Sequence, residues 1–427
     1  MGIESDVAGK FSELNIENVE IQVRSPQFQT LKNNFLEFLL SFADSDQDLI
    51  VLNIKDVQTV IVVNPKIAYY ILSKPLKSIF LKSGILNSLG GLFGDGLLTS
   101  NGDTHQRHKD QIAKYFFSQS NERRDLNIEK VSQKYVREIA EQVSFDPQRI
   151  FSNMSLEMLG HFLFNADLSE HLKPISDSLA VLYLLFEKGS GFADPEDGRS
   201  KAARENLEKI LAKIQKDHGG KENFLSAFSC ESNQVLTDQF LTFLVAGHET
   251  TGIAISWAFA LISKYGASDS FYEEAMNYRR AKKKSKFETS ETDAIILETL
   301  RLFPPVWNMN RRCSVDISTP TSQINSGSQF FISPYLLHKS KSKFENPDKY
   351  RPERWKSDTL KKADIMPFGA GFRSCIGEQL AMKEMRIFLL EFFAENRLES
   401  NADLDLTPTA HLTLKPHKDL LLKRLPR

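Results

Sequence analysis

The chain has 427 residues, a formal net charge of −1, 41% hydrophobic residues and 26% charged ones. That composition supports a large core, excludes a disordered chain, and lacks the basic footprint of a nucleic-acid binder. Three widely separated cysteines, Cys230, Cys313 and Cys375, exclude a disulfide framework or a CxxC zinc site and suit a reducing, cytoplasmic setting.

No Pro/Gly/Ser-rich linker or internal repeat divides the sequence, so a single domain over 1–427 is expected, with residues 1–30 as a polar N-terminal extension lacking a membrane anchor. Asp48–Val63 carries two β-branched runs on either side of Lys55-Asp56, the pattern of a hairpin, and Pro65 opens a helix through Leu72. Gly90–Gly96 reads as a loop, after which helical patterning dominates from about Asn101 to Leu300. Within it, Leu241–Ile262 is apolar enough to imitate a membrane span, yet His248 and Glu249 lie near its middle. A charge at a bilayer centre costs roughly 2.5–3.5 kcal/mol on insertion scales, so this segment reads as a buried core helix. The basic run Arg279–Lys286 reads as a solvated face. Beyond Pro304 the repeated prolines imply strands and an irregular meander, and helix resumes after Cys375. His411–Leu425 reads as a terminal hairpin turning near Pro416-His417-Lys418. The fold class expected is mainly α with small β-sheets (α+β).

Cys230 and Cys313 read as small buried hydrophobes. Cys375 stands in a different frame, Phe368-Gly369-Ala370-Gly371-Phe372-Arg373-Ser374-Cys375-Ile376-Gly377. Its five fixed positions, F-x-x-G-x-R-x-C-x-G, arise by chance on the order of once in ten thousand chains of this length. Glu298-Thr-Leu-Arg301 puts a carboxylate and a guanidinium on one helical face, and Pro352-Glu353-Arg354-Trp355 follows some fifty residues later. Ala246-Gly247-His248-Glu249-Thr250-Thr251 breaks an apolar helix with a costly acid and weak helix formers.

These motifs, in this order, resemble the cytochrome P450 family from roughly Asp48 to Leu425, with weak support between Phe117 and Asp238. The resemblance implies a haem b between the long central helix and the cysteine-loop helix, with Cys375 as the axial thiolate on iron. It implies that Phe368 shields the sulfur, that Gly371 and Gly377 let the backbone pass close to the macrocycle, and that Arg373 pairs with a propionate. His105 and Lys109, in a segment similar to G-x-x-W/H-x-x-x-R, are further propionate partners. There lysine stands where the family carries arginine, a point charge without the bidentate fork. Arg311 is another propionate partner, with Arg312 as the competing choice. By the same resemblance Gly247 and Ala246 make room for dioxygen, and Glu249 and Thr250 relay protons to it. Position 248 is variable in the family, so His248 is not expected to be a ligand. Glu298, Arg301 and Arg354 form a structural network. Leu98, Ala246, Val306, Trp307 and Leu412, all apolar, face the substrate, which is expected to be a small apolar or aromatic molecule. No flavin, nicotinamide or iron–sulfur segment fits after the cysteine loop. Electrons are therefore expected from a separate ferredoxin or flavodoxin docking on Arg107, Lys109, Lys114, Arg373 and Lys383. Monooxygenation is the leading reaction; oxidative coupling, cyclisation or desaturation is the alternative, and a non-catalytic haem sensor a remote one.

Overall fold

Alternating β-branched residues make Leu49–Ile54 and Val57–Val62 an antiparallel pair, with Leu49 opposite Val62 and Ile54 opposite Val57. The structure, a computed structural model, describes every residue except 1, 22–33, 55–56, 83–89, 119–120, 189–196, 219–223, 225–227, 229–230, 282–286, 358 and 418. Cys230, most of the basic run after Ala281, Lys55, Asp56 and Lys418 therefore lie outside the described residues. Packing defines two units without any linker to mark them in sequence. One is Met1–Asn87 with Val306–Lys349 and Lys362–Cys375; the other is Ser88–Pro305 with Tyr350–Lys361 and Ile376–Arg427.

The first unit is built on a six-stranded sheet in the order Ile16–Glu20, Leu49–Ile54, Val57–Val62, Gln329–Ile332, Met309–Cys313, Phe80–Lys82. Leu49, Val51, Val60 and Val62 share one core with Ile67, Ala68 and Ile71 of the helix Pro65–Leu72. Asn64 caps that helix through Lys66 N at 2.8 Å and Pro65 takes its first position, as the sequence implied. The start of the chain is more than a polar extension: Gly2–Phe11 is helical, Ile16–Glu20 pairs in parallel with Leu49–Ile54, and Val7 and Phe11 are buried. Val7, Phe11, Leu14 and Ile16 form a sparse apolar pattern that the surrounding charge conceals.

The second unit is helical, and its central helix Asn233–Tyr265 is about 50 Å long. It starts earlier than its apolar stretch because Asp238 and Gln239, though polar, are buried as acceptors for Asp95 N and Leu97 N. Gly90–Phe93, expected as loop, is helical, and Gly94 N closes that turn onto Gly90 O at 2.9 Å. Among the described residues no helix is long and apolar enough to cross a membrane. The central helix instead buries itself against Pro147–Phe164 and Glu378–Phe393 through phenylalanines, Phe259 lying 4.7 Å from Phe151 and 4.8 Å from Phe392 between ring centroids. Gly252 sits where backbones touch, since a Cβ there would meet Ser152 N at 2.7 Å.

Glu298, Arg301 and Arg354, expected as a structural network, meet in this unit. Glu298, fully buried, receives Arg301 Nε and Nη2 at 2.9 and 2.8 Å, Arg354 Nε at 3.1 Å, Arg351 N at 2.9 Å and Trp355 Nε1 at 2.9 Å.

The end of the chain departs from the expected single hairpin. Thr409–Ala410 pairs with Leu414–Lys415, turning at His411–Thr413, and Pro416, with no N–H to donate, ends that ladder. Leu422–Pro426 pairs elsewhere, with Asn396–Leu398 and with Ser144–Phe145.

Gly252→Ala is expected to destabilise the protein by about 1–3 kcal/mol, because the intruding methyl meets backbone that cannot rotate away; urea unfolding measures it.

Candidate active site

In the first unit, the loop residues Phe368–Cys375 hang on the sheet and on the helix Pro65–Leu72, Gly369 lying against Met309 and Gly371 against Leu72. Cys375 N donates to Phe368 O at 2.8 Å and Ser374 N to Gly371 O at 3.2 Å, closing a tight turn around Gly371–Arg373. Gly371 has φ +66°, and a Cβ there would lie 2.0 Å from Leu72 O, so only glycine allows the loop to seat on the end of Pro65–Leu72. Gly369 adopts φ +70° as well, although sequence reasoning passed it over. Gly377, by contrast, has φ −87°, a conformation open to any residue, so no turn requires glycine there. Phe368 is half-buried, with Lys362 Nζ 5.8 Å above its ring, while Cys375 is exposed. Cys313 is fully buried as expected.

Cations gather in the same unit. Antiparallel pairing of Phe80–Lys82 with Met309–Cys313 sets Lys82 directly opposite Arg311, both 7% exposed. Like charges facing each other across strands repel. Burial and then the charges of Arg373 and Arg311 drive the Lys82 ammonium well below its usual range. Burial followed by Arg373 lowers Arg311 to about 10, and burial lowers Arg373 to about 10. Lys82 and Arg311 are buried and Arg373 is half-buried, and the Arg373 charge weighs on both of the others. Of the two candidates in Met309–Cys313, Arg311 is buried and Arg312 exposed, because the side chains alternate along the strand. Lys82 was missed from the sequence: it belongs to no motif, and its role follows from a strand register.

In the second unit, the central helix is buried without interruption from Leu241 to Ser263 except at Ala246, Gly247 and Thr250. These three positions share a face, so one accessible strip opens in an otherwise enclosed helix. Thr250 Oγ1 donates to Ala246 O at 2.7 Å. His248 points away from the strip, its Nδ1 bonded to Leu244 O at 2.8 Å, and burial lowers its pKa. Glu249 is 7% exposed and also lies off the strip. Its Oε1 is 2.5 Å from Lys415 Nζ and its Oε2 accepts from Thr413 Oγ1 at 3.2 Å.

On the helix Gly102–Ser118, His105 is buried and Lys109 half-buried one turn later. Arg107 and Lys383, expected on a docking face, are paired with Glu231 at 3.2 Å and Asp125 at 2.6 Å, and Lys114 is exposed. Leu98 and Leu412 are half-buried in the second unit. In the first, Val306 is exposed, whereas Trp307 is buried in an aromatic cluster with Phe35 and Phe331 at 6.0 and 5.9 Å, and its carbonyl accepts from Ser333 Oγ at 2.6 Å. Trp307 thus packs as core rather than as an open pocket wall.

A family model described as Cytochrome P450 matches residues 17–423. Cyclooctat-9-en-7-ol 5-monooxygenase from Streptomyces melanosporofaciens is 23% identical over 403 residues, covering 85% of each chain. The chloroplastic carotene epsilon-monooxygenase of Arabidopsis thaliana is 26% identical over 423 residues, covering 85% of this chain and 77% of that one. The crystal structure of CYP175A1 from Thermus thermophilus superposes with a TM-score of 0.77 at 21% identity, covering 96% of this chain and all of that one, a likeness of fold.

The cation trio has a pH signature. Lys82 holds its proton less readily folded than unfolded, so the ligand-free protein is expected to gain stability as pH rises from the lowered value toward the ordinary 10.5. Lys82→Met should flatten that slope and stabilise the ligand-free protein at neutral pH, as read by urea unfolding at several pH values.

Proposed function

The chain belongs to the cytochrome P450 family, and from that premise we propose that it is a monooxygenase that inserts oxygen into a small, hydrocarbon-rich substrate through a cysteine-ligated haem b. The observation that carries the reading is Cys375, held exposed at the tip of a loop whose turns are fixed by Gly371 and by the Cys375–Phe368 hydrogen bond.

Haem supplies the iron at which dioxygen is activated, and a thiolate ligand pushes electron density onto that iron and favours O–O cleavage. Cys375 would hold it. Lys82, Arg311 and Arg373 fit the two carboxylates of its propionates: the buried Lys82 and Arg311 beside the half-buried Arg373 are costly alone, and two carboxylates would offset most of that charge. His105 and Lys109 would add further propionate contacts. Phe368 would keep water from the sulfur, whose hydrogen-bonding and exposure tune a thiolate ligand.

On the central helix, Ala246 carries only a methyl group where the accessible strip opens, which leaves room for a diatomic substrate, whereas Gly247 lies against the helix Pro147–Phe164, where a Cβ would meet Leu159 Cδ1 at 3.1 Å. Thr250 presents a hydroxyl on that strip, and Glu249, one residue away, is the acid that replenishes its proton. Thr250 must first leave Ala246 O, a single rotation about χ1. Electrons come from a separate protein, an acidic ferredoxin or flavodoxin docking by the exposed Lys114 on the helix Gly102–Ser118. The paired states of Arg107 and Lys383 make that dock less basic than the sequence suggested.

The substrate reading rests on the apolar character of Leu98, Ala246 and Leu412 and on two relatives named for cyclooctat-9-en-7-ol and for carotene.

A carbon monoxide difference spectrum of the reduced protein is expected to show the thiolate-type Soret shift, and Cys375→Ala to lose it; a wild-type protein without that shift overturns the reading. Titration with hydrocarbon-rich, weakly polar compounds should convert the ferric haem from low to high spin, whereas sugars and charged metabolites should leave the spectrum unchanged.

A further inference from the structure

We propose that Glu157, His161 and Asp167, in the second unit, form a binding site for a divalent transition-metal ion of the zinc class, independent of the haem chemistry. One ligand atom from each of these three side chains lies within 4.8 Å of the other two.

Local sequence brings them together. Glu157 and His161 stand four residues apart on the helix Pro147–Phe164 and so share a face. Asn165, in the left-handed region at φ +51°, ends that helix and turns the chain back along it. Leu168 then packs on Gly160, where a Cβ would meet Leu168 Cγ at 2.4 Å, so the returning segment has a fixed seat beside the last turn. Asp167 is thereby delivered to Glu157 and His161. The donor set suits its ion: an imidazole selects the zinc class over magnesium and calcium, and two carboxylates neutralise the double charge. Glu157 is buried, His161 half-buried and Asp167 exposed, so the site opens from the interior to water and an ion can enter.

Tyr135 Oη donates to Glu157 Oε2 at 3.1 Å and Ser169 N to Asp167 Oδ1 at 2.8 Å, which orients one oxygen of each carboxylate and turns the other toward a metal. The His161 ring has no hydrogen-bond partner among the described residues, and burial favours its neutral form, the one that ligates. The place is already one for a cation. Lys134, on the helix Asn121–Ala140, sets its ammonium 2.8 and 2.7 Å from the two Glu157 oxygens and 3.4 Å from Ser169 Oγ. Its side chain is 43% exposed against 3% for Glu157, so the ammonium can withdraw into water where the carboxylate cannot. A buried carboxylate needs a counter-ion, and Lys134 and the metal are alternative ones. The metal gains a ligand that the ammonium leaves unused, His161. Bound there, it ties the end of Pro147–Phe164 to the turn after it and braces the helix whose Leu159 lies against Gly247.

The test is calorimetric titration of the haem-loaded protein, whose Cys375 is engaged by iron, with zinc(II) in a weakly coordinating buffer at neutral pH. Wild type should bind one zinc with a dissociation constant below about 100 μM, and magnesium or calcium about tenfold more weakly or worse. His161→Ala and Asp167→Asn should each weaken zinc binding by about tenfold or more and leave the carbon monoxide difference spectrum unchanged. Lys134→Met, which removes the competing ammonium, should tighten it by about tenfold or more. Zinc should also restore the unfolding temperature that Lys134→Met lowers, and the restoration should vanish when His161→Ala is added. Should Lys134→Met fail to fold, Lys134→Gln carries the same expectations. Zinc that binds wild type and His161→Ala alike is an adventitious surface ion and overturns the site. Wild-type and Lys134→Met proteins that take up no zinc at about 1 mM overturn it as well.

Discussion

A carboxylate sealed from water organises the second unit. Glu298 accepts hydrogen bonds from two arginines, a tryptophan and a backbone amide, and those donors come from its own helix, from the turn Pro352–Lys356 and from Arg351 just before it. An ionised carboxylate survives full burial only when its lone pairs are met, and removal of one partner from such a set leaves a desolvated charge behind. The geometry is therefore all or nothing, and it fixes an irregular stretch that no regular ladder could hold. The chain leaves this knot some twenty residues before Cys375.

The first unit solves the opposite problem. Lys82 and Arg311 are buried cations brought near the half-buried Arg373, whose charge lowers the pKa of both. Strand pairing enforces the closeness of two of them, Lys82 and Arg311, since they are cross-strand partners. Destabilisation of this kind is retained where an anion repays it, the usual balance between function and local stability. The helix strip at Ala246, Gly247 and Thr250 is a second local exception, a break in a helix that is otherwise buried from Leu241 to Ser263.

Sequence made much of this legible because the most specific motifs are local. The cysteine loop is ten consecutive residues, and Glu298–Arg301 is a single helical turn. The hairpin of Leu49–Ile54 with Val57–Val62 and the helix after Pro65 were likewise written in alternation and in a proline. What could not be read depends on register between distant segments. Lys82 meets Arg311 across a sheet, and Lys415 and Thr413 meet Glu249 across some 165 residues of chain. Trp307 looked available because it is apolar and follows two prolines, but an aromatic cluster claims it. The final residues alternated enough to suggest one hairpin, and only the competing partners Asn396–Leu398 and Ser144–Phe145 split them.

The first unit's sheet also has a temporal consequence. Val57–Val62 pairs in parallel with Gln329–Ile332, about 270 residues further along the chain. At roughly 5–20 residues per second on the ribosome, the early strands wait on the order of ten to fifty seconds with an apolar edge unpaired. An unpaired edge rich in valine and isoleucine is a template for aggregation. During synthesis, nascent-chain yield should therefore depend on how long chaperones can shield that edge, a vulnerability that the finished protein no longer carries.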